Sequence, residues 1–260
     1  MNIQGIIADL ASTDPELYDR LEHVSRRSMF SMIGRKAAQL AAPVVAMSAV
    51  SRAYGQALPQ PIVDVLNFAL TLEYLEAEYY NVGMDSAGLL TGTARTVYGQ
   101  IQKHENAHVK LLKDALGSAA VAKPAFDFTA KGMFPSPFSN YGVYLTLSQA
   151  FEDTGVRAYK GQAPVLMPSD PILTTALRIH SVEAKHAARV RMLRGVKPWV
   201  TGNTSPGVPS AIYAGDESTV HLEISSIVPG VPLENSTQAW DEPLSKEDVL
   251  KIVAPFIVAT

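Results

Sequence analysis

Residues 103–110 read KHENAHVK, and the fold turns on how that run is parsed. Taken as His104-Glu105-Asn106-Ala107-His108, it is H-E-x-x-H, the helical string of zinc metalloproteases. Taken as Glu105-x-x-His108, it is one part of a different pattern. The protease parsing needs ligands that the chain does not supply. A metzincin continuation requires glycine at the third residue after the second histidine and a ligand at the sixth, and those positions are Leu111 and Asp114. A helix-borne glutamate about twenty residues further on is also missing, because that stretch is AKPAFDFTAKG. The protease parsing moreover leaves Glu73, Glu152 and Glu183-x-x-His186 without a role.

Working outward, four long segments carry apolar residues at helical spacing. They run from about Pro61 to Asn81, Thr93 to Leu116, Tyr141 to Ala163, and Ser169 or Asp170 to Arg194. Gly117 closes the second and Pro164 the third, while Pro171 suits the first turn of the fourth. Short connections join the first pair and the second pair. The long run VAKPAFDFTAKGMFPSPFSN separates the pairs. Two helical hairpins with one long crossover define an all-α, four-helix bundle of the ferritin-like order over residues 58–195. Residues 196–260 form a Pro/Gly-rich extension. It contains a strand-like run, Thr219 to Ile224, and ends in a short helix from about Ser245 to Val258.

Each stripe is interrupted by groups that do not belong in a core. Glu73 sits among Leu66, Leu70, Ala77 and Tyr80, and Glu152 among Leu145, Ser148, Val156 and Tyr159. Glu105 and His108 lie between Ile101 and Leu112, and Glu183 and His186 between Ile179 and Val190. One uncompensated buried charge costs several kcal/mol, and a domain has only roughly 5–15 kcal/mol of net stability. Two divalent cations would neutralise four carboxylates, and two neutral imidazoles would complete the set. The pattern also repeats: Glu73 and Tyr80 recur as Glu152 and Tyr159 at an offset of 79, and Glu105-x-x-His108 recurs as Glu183-x-x-His186 at an offset of 78. A pseudo-twofold dinuclear site follows, held by Glu73, Glu105, His108, Glu152, Glu183 and His186.

Around that set, Tyr80 and Tyr159 are expected to support the ligand carboxylates, and Glu76, one turn after Glu73, is a further supporting candidate. Its counterpart in the second half is Gly155, so the repeat does not require it. His104 and His180 read as surface or capping residues, with support of the ligands as the alternative, and Glu78 and Asp153 as solvated. Arg178, Lys185, Arg189, Arg191 and Arg194 read as a solvated helix face.

These motifs, with the phrase NFALTLEYLEAEYY at 67–80, resemble the ferritin-like superfamily. Within it, the chain looks like an exported bacterial branch related to desiccation-associated ferritin-like proteins. The resemblance covers about residues 60–195. It implies iron or manganese as the two divalent metal ions, with dioxygen or hydrogen peroxide as reaction partner. The implied activity is ferroxidase-like or catalase-like; a non-catalytic, metal-binding protective protein in stress or drying is the alternative. A homo-oligomer is compatible with either. The chain has no cysteine, which excludes disulfides, thiolate zinc sites and the rubredoxin module of rubrerythrins. Its net charge of -3 offers no cue for nucleic acid.

The first 57 residues read differently. Ser25-Arg26-Arg27-Ser28-Met29-Phe30 precedes AAQLAAPVVAMSAV and small residues ending near Ala57. A twin-arginine pair, a short apolar region and a small-residue end are the marks of an export signal. This predicts a partner in the twin-arginine export machinery, no stable membrane insertion once the signal is removed, and a periplasmic or secreted protein.

Overall fold

The computed structural model describes residues 58–218, 230 and 232–258. The expected export signal and the strand-like run from Thr219 lie outside these residues. Helix α1 spans Gln60–Asp85, α2 Gly92–Leu116, α3 Tyr141–Leu166, α4 Asp170–Leu193 and α5 Lys246–Val253. No strand occurs among the described residues, only two isolated bridges, Phe126 with Ile257 and Ser205 with Val208. The two hairpins, α1 with α2 and α3 with α4, are the main packing units, and α1 lies against α3.

Local chemistry sets the helix ends. Pro59 precedes α1 and Pro61 sits in its first turn, where a missing N–H is harmless. Helix α1 runs past the expected end near Asn81 to Asp85, and Gly83 inside it has a packing role. A Cβ there would lie 2.3 Å from Tyr144 Oη, so only glycine lets that ring approach. Gly117, at φ 55°, ends α2 as expected. Asn140 caps α3, its side chain accepting from Val143 N at 3.2 Å. Pro164 falls inside the last turn of α3 rather than ending it. In α5 the Ser245 side chain accepts from Asp248 N at 3.1 Å, and a 3-10 turn, Ala254–Phe256, replaces the expected continuation because Pro255 has no N–H to extend the helix.

Two apolar clusters fill the bundle. One holds Tyr79, Tyr80, Tyr98, Tyr144, Leu147 and Phe151, with Phe128 reaching in from the crossover. The other, toward the opposite end, holds Ile62, Leu66, Leu112, Leu166, Ile172 and Ile179. The crossover is pinned to the C-terminal end of the chain. Asp127 N donates to Phe256 O at 2.8 Å and Val258 N to Ala125 O at 2.9 Å.

The extension corrects several expectations. Asp153 is not solvated but buried, and Arg191 grips it with Nε and Nη2, at 3.0 and 2.6 Å, while Tyr213 Oη donates to it at 2.7 Å. Arg191 therefore does not belong to a solvated basic face. Nor does Arg194, which donates to the Gln149 side chain and to Pro206 O. Arg157 is 1% exposed, donating to Ile212 O and Ala214 O, and to Glu242 O at 2.6 Å. These side chains supply what an irregular segment lacks, namely partners for its buried carbonyls. At Gly161 a Cβ would lie 1.9 Å from Leu244 O, so the extension crosses α3 at backbone contact distance. Glu78 does reach the surface, where it pairs with Lys123.

Candidate metal centre

Between the two apolar clusters lies a layer of charge. Glu73, Glu105, Glu152 and Glu183 are each 0% exposed, and His108 and His186 are buried beside them. Each glutamate comes from a different helix of the bundle, and each Glu-x-x-His places its two side chains one turn apart on the inward face. The six residues fall into two overlapping groups, each of which could hold a metal ion. One is Glu73, Glu105, His108 and Glu183; the other is Glu105, Glu152, Glu183 and His186. Within each group one ligand-type atom per residue lies within 4.8 Å of the others. Glu105 and Glu183 belong to both groups, so they occupy the centre, with Glu73 and Glu152 at the flanks.

Both imidazoles turn Nδ1 inward. His108 Nδ1 lies 3.2 Å from Glu73 Oε2, 3.0 Å from Glu105 Oε2 and 3.2 Å from Glu183 Oε1. His186 Nδ1 lies 2.8 Å from Glu105 Oε1 and 3.4 Å from Glu152 Oε2. Proximity is not satisfaction, however. Glu105 Oε1, Glu152 Oε2, both oxygens of Glu183 and His186 Nδ1 have no hydrogen-bond partner among the described residues. Orphaned polar atoms at this depth cost roughly 1–3 kcal/mol each, more when charged. Five converging on one point are what a cation would bind. The residues present therefore fit divalent metal binding at this layer.

The tyrosines confirm the pseudo-twofold relation in the geometry. Tyr80 Oη donates to Glu152 Oε1 at 2.5 Å, and Tyr159 Oη donates to Glu73 Oε1 at 2.5 Å. Each hairpin thus holds the flanking carboxylate of the other, which requires α1 and α3 to run antiparallel. The bond leaves the second oxygen of each glutamate turned toward a histidine.

Electrostatics within the layer mark the crowding. Burial, followed by the charge of Glu105, pushes the Glu183 carboxyl well above the usual range. Burial and then Glu183 do the same to Glu76. Glu105 is raised to about 7, chiefly by burial. Glu73 moves down: burial alone would raise it, but the charge of His108 and the hydrogen bonds from His108 and Tyr159 outweigh that. His186 is raised to about 11, as Glu152 and the contact with Glu105 overcome burial. Protons on these groups stand where cations would stand, so metal uptake must expel them.

Glu76 is 3% exposed and sits beside the layer. A Cβ at Gly155 would meet Glu76 Oε1 at 3.3 Å and Glu183 Oε2 at 3.4 Å. The carboxylate of one half therefore fills the space left by the missing side chain in the other. His104 follows the alternative of a supporting role and not the surface or capping reading. It is neither a surface residue nor a cap, since its Nδ1 lies 2.8 Å from His186 Nε2 and the two rings stack at 5.1 Å. No spacing within α2 signals this, because the partner is on α4. His180 is not part of the layer, and its Nε2 has no hydrogen-bond partner among the described residues.

Comparison with known proteins agrees with this geometry. No curated protein matches the chain. The family model described as a ferritin-like domain matches residues 62–196, which takes in all but the first two residues of the four long helices and every residue of the charged layer. No helix among the described residues is long and apolar enough to cross a membrane. A match over more than half of the chain, on a helical bundle with this buried layer, places the protein in the ferritin-like domain family.

Proposed function

We propose that this protein is a dinuclear iron or manganese carboxylate protein that reacts with dioxygen or hydrogen peroxide, in a ferroxidase-like or catalase-like manner. The observation that carries this reading is the shared use of Glu105 and Glu183 by two buried groups whose inward oxygens lack partners. Glu73, His108, Glu152 and His186 would complete the two coordination sets. The two ions, when bound, supply one-electron redox steps at adjacent positions, which is what an O–O bond requires.

The chain's own residues do the rest. Tyr80 and Tyr159 fix one oxygen of each flanking glutamate and leave the other free to turn inward. Both oxygens of Glu183 lack a hydrogen-bond partner among the described residues, so this carboxylate would be free to reorient toward a bound ion. The apolar clusters above and below exclude bulk water from the layer. Glu76 adds a carboxyl that holds its proton by burial and lies beside Glu183. We also propose export by the twin-arginine route to the periplasm or beyond, on the strength of Arg26-Arg27 and the short apolar run after it.

Metal analysis of the purified protein, followed by oxygen and peroxide consumption with Fe(II) and Mn(II), tests the reading. Two ions and turnover that is lost in Glu152→Ala are expected. Two ions without turnover would favour the second reading, a metal-binding protective protein whose cations stabilise the bundle. No bound metal under either condition would overturn both.

A further inference from the structure

We infer that His104 is a positioning residue for His186, and so for one of the two cations, an inference that rests on the dinuclear reading above. If His186 gives its Nδ1 lone pair to a metal, the ring hydrogen must reside on Nε2. That atom is 2.8 Å from His104 Nδ1, with the rings nearly parallel at 12°. His104 Nδ1 must then accept, which puts the hydrogen of His104 on its own Nε2. That nitrogen is 2.7 Å from the side-chain amide of Gln100, one turn earlier on α2. The amide meets it by presenting its oxygen, a half-turn of a group whose two ends differ little in shape. The row runs from a buried histidine through a half-buried one to an exposed glutamine, so its outer end is free to reorient.

The device exists in one half only. The repeat puts Val182 opposite His104, so His108 has no equivalent support from the second hairpin. Partners that orient a metal-bound histidine typically change affinity by about 10- to 100-fold. The consequence is a pair of unequal sites. The group containing His186 loses affinity when His104 is replaced, while the group containing His108 does not.

Stepwise Mn(II) titration with a competing chelator reads this directly. Wild type is expected to bind two ions. His104→Leu should weaken one of them by about 10- to 100-fold and leave the other unchanged. His104→Gln, which keeps an acceptor, should recover most of the loss. Equal impairment in both variants would overturn the hydrogen-bond role in favour of ring packing. Unchanged binding of both ions in His104→Leu would overturn the inference while leaving the dinuclear reading intact. A wild type that binds no Mn(II) would overturn both. Should His104→Leu fail to fold, nitrogen-15 NMR of zinc-loaded wild type decides: the His104 hydrogen on Nε2 supports the inference, and on Nδ1 overturns it.

Discussion

The two hairpins match on the inside of the bundle and differ on the outside. Inside, Glu73 pairs with Glu152, Tyr80 with Tyr159, and the two Glu-x-x-His units with each other, and the structure brings them to equivalent places. Outside, the same offsets align Asp153 with Tyr74, Arg157 with Glu78, Gly161 with Val82 and Arg191 with Lys113. The second member of each of these pairs has no hydrogen bond or ion pair to the extension among the described residues. The first grips the extension: Arg157 binds its carbonyls, Leu244 N donates to Arg157 O at 3.3 Å, and Arg191 donates to Trp199 O at 3.2 Å. A repeated helix pair therefore keeps what the shared centre demands. It diverges where one copy acquires a covering that the other lacks.

The largest effect expected comes from breaking the divergent face. Asp153→Ala removes the carboxylate that Nε and Nη2 of Arg191 hold, and leaves a guanidinium that is 3% exposed. Breaking a buried pair on one side costs about 3–5 kcal/mol. Urea denaturation should show that loss, and limited proteolysis should cut the extension first. Replacing the corresponding Tyr74 by Phe should cost less than about 1 kcal/mol, since its hydroxyl makes only a long 3.4 Å bond to Val121 O. Equal losses at the two positions would remove the distinction between the faces.

The matching face is tested next. Glu105 belongs to both metal groups and Glu152 to one. Glu105→Ala should therefore weaken both Mn(II) ions by at least about a hundredfold, and Glu152→Ala only one of them. Chelator-competition titration separates the cases. A Glu105→Ala protein that still binds one ion at wild-type strength would show that this glutamate does not bridge.

Much of this layout is legible in the amino-acid sequence, and the reason is periodicity. A glutamate inside an apolar stripe breaks a strong pattern, and four such breaks at matched offsets identify the buried layer and the helices that carry it. The outer face offers no such break. Asp153, Arg157 and Arg191 occupy positions where a polar residue is unremarkable, and their partners are carbonyls of an irregular segment, which any residue possesses. Spacing of four among Gln149, Asp153 and Arg157 marks a polar stripe, but a polar stripe usually faces water. His104 is hidden for a related reason, because its contact with His186 joins two helices whose rotation the sequence alone does not specify.

A smaller effect sharpens the outer face by pH. Asp216 is 1% exposed, lies 3.3 Å from Arg157 Nη1 and accepts from Glu242 N at 2.7 Å. Burial raises its carboxyl to about 6, against the pull of Glu242 N and Arg157. A raised carboxyl means that the folded protein holds the proton more tightly than the unfolded chain. Its contribution is therefore greatest below the unfolded value of 3.8, falls as pH rises through about 6, and is level above that. The change amounts to about 2–3 kcal/mol at most. Urea midpoints in chelator at pH 4.5, 5.5 and 7 should fall less steeply for Asp216→Asn than for wild type. Parallel slopes would mean that Asp216 titrates as an ordinary surface acid.

The smallest expected effect tests whether the halves exchange space at the centre. Glu76 fills the volume that a side chain at position 155 would take, so the two positions should behave as one unit. Gly155→Ala gains about 1 kcal/mol of helix propensity, but its new methyl meets Glu76 Oε1 at 3.3 Å and Glu183 Oε2 at 3.4 Å, which offsets the gain. In a Glu76→Ala background one of those contacts is gone and the propensity gain should emerge. A double-mutant cycle should therefore show a favourable coupling of about 1 kcal/mol, where unconnected sites add within about 0.5 kcal/mol. Additive changes would mean that Glu76 and Gly155 are neighbours by accident. Coupling would mean that the repeat lost a side chain in one half to make room for a carboxylate from the other.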